Sequence, residues 1–206
     1  MAESARDRII ATAHDMFYRC GFHAVGLDAI LEKVGVTKTT FYNHFESKDD
    51  LVREALRWHD RWWQDTFRAM LRKHGGPAPR AQLLAVPDVL SEMFAGGSFN
   101  GCFFVNVAVQ FPHPDDPAHQ AAVAHKHAME EIIRELAGYA GADDAAAFAE
   151  EMSLVMEGAY VTCQVTKKPQ TAQIARRLVD LVVNRRLPAS RPPGGDHGQA
   201  DGPGNG

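Results

Sequence analysis

The chain has 206 residues, of which 45% are hydrophobic and 23% charged, with a net charge of −4 at neutral pH. That balance excludes collagen-like, fully disordered and disulfide-scaffold chains, and the length suffices to bury a core without metal or disulfide staples. No run approaches the ~18–20 apolar residues of a membrane span, the opening MAESARDR lacks the apolar run of a secretory signal, and the three cysteines, Cys20, Cys102 and Cys163, form no C-x-x-C pair, so we expect a reduced, cytoplasmic protein with neither membrane partner nor structural zinc.

Helical periodicity runs through the sequence. Residues 5–20 place Ile9, Ala13, Met16, Phe17 and Cys20 at spacings of three and four, which makes one apolar stripe, and Gly21 stands at its C-terminal cap. A second helix carries Leu27, Ile30, Leu31 and Val34 on one face and stops at Gly35. Thr37 caps a third at 38–44, and Ser47 with Asp50 caps a long amphipathic helix at 48–73. Gly75, Gly76, Pro77 and Pro79 break the pattern. Further helices are expected at 80–95, 101–111, 117–138, 144–167 and 170–187. Segment 101–111 (GCFFVNVAVQF) has a strand-like composition, but no second strand is visible to pair with it, so it reads as a buried helix. The tail 188–206, PASRPPGGDHGQADGPGNG, is expected to be disordered. The fold class is all-α, with domains at 1–47 and 48–187.

Bulk charge shows no nucleic-acid signature: residues 1–55 hold seven Lys/Arg against nine Asp/Glu. Local arrangement does. Three short helices with a tight turn at Val34-Gly35-Val36-Thr37 suggest a helix-turn-helix. On 38–44, Phe41 and Phe45 point inward, one turn apart, and Thr39, Tyr42 and Asn43 face the other way. A polar face of short side chains suits the major groove, and Lys38 and the Tyr42 hydroxyl reach phosphates. The start of the helix at Lys48 offers backbone N–H groups to a second phosphate.

These residues carry a resemblance. Ile9, Ala13, Phe17, Gly21-Phe22, Ile30, Gly35-Val36, Lys38, Phe41-Tyr42, His44-Phe45, Lys48 and Leu51 resemble the DNA-binding domain of TetR-family transcriptional regulators. The resemblance implies a third helix in the major groove of double-stranded operator DNA, base contacts from Thr37, Lys38, Thr39, Thr40 and Asn43, and phosphate contacts from Tyr42, His44 and Lys48. Gly26-Leu27-Asp28 departs from it: many relatives cap the second helix there with Thr or Ser, and an aspartate beside DNA repels phosphate. The resemblance further implies a homodimer built on the last two helices, whose apolar residues include Met152, Val155, Ala159, Ile174, Leu178 and Leu181. Two recognition helices ~34–36 Å apart then read a palindrome.

Aromatic and sulfur side chains are dense after residue 58. Trp58, Trp62, Phe67, Phe94, Phe103, Phe104, Met156 and Tyr160 are candidate walls of a cavity for a small apolar or aromatic effector. As single residues, the same side chains also suit plain core. Cys102, at a helix start, is a candidate redox or electrophile sensor through a dipole-stabilised thiolate, or else an inert thiol among phenylalanines. His113, His119, His125 and His127 lack the spacing of shared helical metal ligands and read as incidental on a solvated helix. No G-x-S-x-G, H-E-x-x-H or phosphate-cradling glycine loop occurs, so neither enzyme chemistry nor a cofactor is expected.

Overall fold

The computed structural model describes residues 4–97 and 99–188. They form ten helices and, among the described residues, no strand. The N-terminal unit is α1 (Ala5–Cys20), α2 (Leu27–Val34) and α3 (Lys38–Tyr42). Then come α4 (Lys48–Gly75), α5 (Pro79–Leu84), α6 (Val86–Ala95), α7 (Phe103–Gln110), α8 (Pro117–Tyr139), α9 (Ala145–Thr166) and α10 (Thr171–Arg186). The expected tail at 188–206 lies outside the described residues apart from Pro188, whose carbonyl accepts a hydrogen bond from Arg80.

Side-chain oxygens start most of the long helices. Ser4, Thr37, Ser47, Asp116 and Asp144 each accept a backbone N–H of their own first turn. Each bond satisfies one orphan donor at a helix start and stabilises it by about 1 kcal/mol. Gly35 turns α2 toward α3 in the left-handed region, at φ 76°, which a side chain disfavours. Its N–H closes on the Leu31 and Glu32 carbonyls.

Two boundaries differ from expectation. The single helix expected at 80–95 is two, meeting at Ala85. Pro87 has no N–H to give the Leu83 carbonyl, and its ring crowds that carbonyl, so the ladder stops and restarts. The helix expected from Gly101 begins at Phe103 instead. Gly101 sits at φ 86°, outside helical geometry, and a β-carbon there would come within 2.1 Å of the Gln164 amide oxygen.

Two apolar clusters make the core, and their division runs through α4 rather than at its start. One joins Phe17, Phe22, Phe41, Phe45, Leu51 and Leu56 to Phe104 and Val107 of α7. The other joins Phe67 and Leu71 of α4 to α5, α6, α8, α9 and α10. α4 therefore belongs to both. Its 28 residues span ~42 Å at 1.5 Å per residue, long enough to link the N-terminal three-helix unit to a distant helical body.

The end of α4 is tightly packed. A β-carbon on Gly75 would lie 2.5 Å from the Gln82 α-carbon and 2.6 Å from the Ala81 carbonyl oxygen, both backbone atoms that cannot swing aside. Gly75→Ala should cost about 1–3 kcal/mol through overpacking. Gly138→Ala, on α8 where a β-carbon meets nothing within 4 Å, should stabilise by ~0.5–1 kcal/mol through reduced chain entropy. Urea unfolding of the two variants checks the opposite signs.

Candidate functional site

Two regions carry exposed or cavity-facing chemistry: the surface of α3, and a cavity where α1, α4, α7, α8 and α9 meet.

On α3, Phe41 is fully buried and stacks on Phe45 with ring centroids 5.2 Å apart. That anchor turns Thr37, Lys38, Thr39, Tyr42, Asn43 and His44 to solvent. Tyr42 is 58% exposed, high for a tyrosine. Thr40 is half-buried, and its hydroxyl bonds that of Thr37 at 3.0 Å. The Asp28 carboxylate lies 2.9 Å from the Lys38 ammonium, which raises the lysine pKa. The repulsion expected from Asp28 is thereby met by a cation on α3 itself.

Lys48 takes a different place from the one expected. Its ammonium donates to the Phe22 carbonyl at 2.8 Å and lies over the Phe17 ring. The physical reason is geometric: the Phe22 carbonyl follows the end of α1, where no helical N–H reaches it, and a half-buried amine satisfies it. Lys48 thereby braces the segment after α1 against the start of α4.

The cavity has a volume of about 230 Å³. Five of the eight expected wall residues line it: Trp62, Phe103, Phe104, Met156 and Tyr160. Trp58, Phe67 and Phe94 do not. Phe67 and Phe94 are buried in the second core cluster, and Trp58 packs against the first cluster and stacks on Trp62 with ring centroids 6.2 Å apart. Cys102 lies in the wall, half-buried, as the N-cap of α7. Cys163 is buried and Cys20 exposed.

The polar part of this wall was missed in the sequence. His14 of α1 and His59 of α4 both line the cavity, and His14 Nε2 lies 2.8 Å from His59 Nδ1, a hydrogen bond across 45 residues. The rings stack 4.7 Å apart, and each packs on Phe103 within 4.8 Å. His125 is not on a solvated face as expected: it is only 3% exposed, its Nδ1 lies 2.6 Å from Asp60 Oδ1, and Phe104 stacks on it at 3.9 Å. The Tyr18 hydroxyl donates to the Gly101 carbonyl at 3.0 Å and accepts the Asn100 N–H at 2.8 Å. His14 and Tyr18, four apart on α1, could have been picked out as polar residues on an apolar helix face, but nothing local says that they meet α4 and α7.

Burial sets the charge of these rings. It lowers the His14 pKa from 6.5 to about 4. It lowers that of His59 from 6.5 to about 3, and the neighbouring His14 and His125 push in the same direction. Burial also lowers His125, against the opposing pull of Asp60. At neutral pH the wall presents uncharged imidazoles. Among the described residues no group of three or more His, Cys, Asp or Glu side chains is placed to hold a metal ion.

The interface residues expected on α9 and α10 divide. Ile174, Leu178 and Leu181 are exposed and Val155 is half-buried, but Met152 and Ala159 are buried inside the monomer. Both belong to the second core cluster, and α9 packs against both α8 and α10. Leu154, Val161 and Val165, not singled out in the sequence, are exposed on α9.

Comparisons with known proteins come from both ends of the chain. Residues 9–55 match the model of bacterial regulatory proteins of the tetR family, and residues 79–179 match that of the tetracyclin repressor-like C-terminal domain. The HTH-type transcriptional regulator YjdC of Escherichia coli K12 is 26% identical over 86% of this chain and 93% of its own length. The HTH-type transcriptional repressor NemR of the same organism is 24% identical over 51% of this chain and 53% of its own length. In structure, SCO4454, a TetR-family transcriptional regulator from Streptomyces coelicolor, superposes with a TM-score of 0.78 at 30% identity, covering 88% of this chain and 95% of that one.

The histidine pair generates a pH prediction. Both rings have depressed pKa values when folded, so the unfolded chain binds more protons as pH falls below 6.5. Their contribution is in place above pH 6.5 and is lost as pH falls through about 4 and then about 3. Carboxylates titrate in the same window, so the readout is a difference. Urea midpoints should fall less steeply with acid in a His14→Phe/His59→Phe double variant than in wild type.

Proposed function

The chain belongs to the TetR family of bacterial regulatory proteins, and from that premise we propose that it is a ligand-responsive repressor that binds a palindromic operator as a homodimer and is released by a small apolar or aromatic effector. Membership makes it a DNA-binding transcriptional regulator rather than an enzyme. The observation that carries the finer reading is the make-up of the cavity wall. His14 and Tyr18 come from the DNA-reading head, His59, Trp62 and Trp63 from α4, and Met156 and Tyr160 from α9. An occupant touches all three at once.

A ligand shifts an equilibrium only by its differential affinity for the two states. Here the two states are head spacings that fit or miss successive major grooves, and α4 is the lever. Thr37, Lys38, Thr39, Thr40 and Asn43 read base edges, and Tyr42 and His44 hold phosphates. Lys48 serves that contact by fixing α1 against α4. NemR, a relative named as a repressor, supports the sign of regulation.

Dimerisation rests on α9 and α10. Leu154, Val161 and Val165 recur at helical spacing on one helix, and Ile174, Leu178 and Leu181 on the other, all exposed. Exposed apolar side chains in such a row mark an interaction surface. A second copy of the same pair of helices buries them and sets the distance between the two heads.

A second reading keeps the head and makes Cys102 the input. The observation in its favour is that Cys102 shares the cavity wall with the aromatic side chains. An electrophile admitted there meets the thiol directly.

The deciding experiment uses fluorescence polarisation on DNA from upstream of the protein's own gene. Tyr42→Ala should weaken binding by about tenfold or more, the loss of a charge-assisted phosphate contact in each half-site, with unchanged circular dichroism. Retained binding would remove α3 as the reading helix. In the same assay, an electrophile that releases wild type but not Cys102→Ser selects the second reading. For the dimer, Leu178→Arg should sediment as a monomer where wild type sediments as a dimer, and a monomeric wild type would overturn the interface.

A further inference from the structure

From the cavity walls we infer that the effector is an uncharged hydroxy-aromatic molecule whose hydroxyl is held by the His14–His59 pair, so that the DNA-reading head itself contributes half of the recognition group. The inference rests on the cavity reading above and names the ligand class that this cavity selects.

Size comes first. An apolar cavity of ~150 Å³ holds benzene, so one of about 230 Å³ accepts a molecule of one or two fused rings. The walls supply flat surfaces for such rings, from Trp62, Trp63, Phe103 and Phe104.

Charge comes next. The carboxylate and ammonium groups around the cavity are already committed. Glu157 lies 2.8 Å from the Lys126 ammonium, and Asp60 lies 2.6 Å from His125. A charged ligand would lose its hydration and find its countercharge engaged elsewhere, which is costly in a low-dielectric site. The cavity therefore favours a neutral occupant.

Hydrogen bonding then selects the polar group. Tyr18 already donates to Gly101 and accepts from Asn100, so its hydroxyl is fully used. Tyr160 donates to the Met93 sulfur at 3.3 Å. His125 is almost wholly covered and bonded to Asp60. His14 and His59 are bonded to each other through one nitrogen each, and neither second nitrogen bonds a described residue.

The chemistry of that pair is specific. In a neutral imidazole one nitrogen donates and the other accepts. When two neutral rings share one hydrogen bond, the outer nitrogens are one donor and one acceptor, whichever tautomer is present. A hydroxyl both donates and accepts, so it fits either end in either tautomer. A hydrocarbon leaves the pair unsatisfied, and a carboxylate can only accept.

The consequence for regulation follows from chain position. His14 lies on α1 and His59 on α4, so a hydroxyl bound at the pair competes with or re-aims the bond that fixes the head on its lever.

The test uses the full-length protein at pH 7 and quenching of Trp62 and Trp63, which line the cavity. The probes are naphthalene, 2-naphthol and 2-naphthoate, one ring system with three polarities. 2-Naphthol should bind about tenfold tighter than naphthalene, the worth of one to two net hydrogen bonds, and 2-naphthoate should bind more weakly than naphthol. His14→Phe and His59→Phe, each checked for helicity by circular dichroism, should erase the naphthol advantage, so that naphthol and naphthalene bind each variant alike. The wild-type ratio stands as a test even where a variant fails to fold. Equal affinities for naphthol and naphthalene overturn the inference, as does an advantage that survives in the variants or tightest binding of naphthoate. In those cases the cavity reading stands. Failure of naphthalene and naphthol alike to bind removes the cavity reading and this inference with it.

Discussion

The seam between α1 and the first half of α4 is the constraint on which the rest of the molecule depends. It is held at three levels. Phe17, Phe22 and Leu51 are buried within it, each stabilising the fold by ~1.5–3 kcal/mol. Lys48 of α4 satisfies the carbonyl that α1 leaves open at Phe22, and Glu54 of α4 takes Arg6 of α1. At the far end the seam opens into a cavity, and there a histidine from each helix replaces apolar packing. A head bound only by apolar contacts would be rigid. One whose last contact is a pair of partly solvated imidazoles has a place where an occupant can intervene.

α7 shares this logic. Phe103 and Phe104 pack with the head cluster, and Gln110 at the end of α7 accepts the Phe22 N–H through its side chain at 2.8 Å. Its backbone carbonyl lies 2.8 Å from His23 Nε2. The head is therefore tied both to α4 and to α7, and the cavity lies between the two attachments. Motion of either helix relative to the other must be felt at α1. The regulation by a small molecule proposed above then requires no long pathway of side chains, because the head contributes His14 and Tyr18 to the cavity wall.

The legibility of the sequence followed the range of the interactions. Helix starts were readable because Thr37 and Ser47 bond N–H groups within three residues of themselves. The reading face of α3 was readable because Phe41 and Phe45 fix its inward side. The break at Ala85 was equally local, and Pro87 announced it, but the apolar period on both sides masked the stop. The histidines failed for the opposite reason. Nothing within a few residues of His125 says that Asp60 will meet it, and nothing near His14 says that His59 will. Met152 and Ala159 were misplaced on similar grounds. Periodicity identifies an apolar face on α9, but not which of two apolar faces turns to solvent.

Charge completes the account of how a chain with net charge −4 contacts DNA. Several acids in and beside the head are engaged by nearby cations: Asp15 by Arg19 and Lys33, Asp28 by Lys38, Glu54 by Arg6 and Arg57. Exposed pairs of this kind add little stability, about 0–1 kcal/mol each. Their effect is on the field that a phosphate meets. α3 carries Lys38 and no acid between Lys38 and Asn43, and the Asp28 carboxylate beside it is already paired with Lys38. What remains is a small neutral-to-positive face inside an acidic protein. Such a face gains little from long-range attraction to DNA, because non-specific affinity scales with the number of phosphates neutralised. On the reading proposed above, selectivity then comes from contacts that require fit: the short threonines, Asn43 and the projecting Tyr42, doubled by the symmetry of the proposed dimer. In the proposed dimer, a reader built this way depends on the spacing of its two heads, and the proposed effector acts on that spacing through the seam above the cavity.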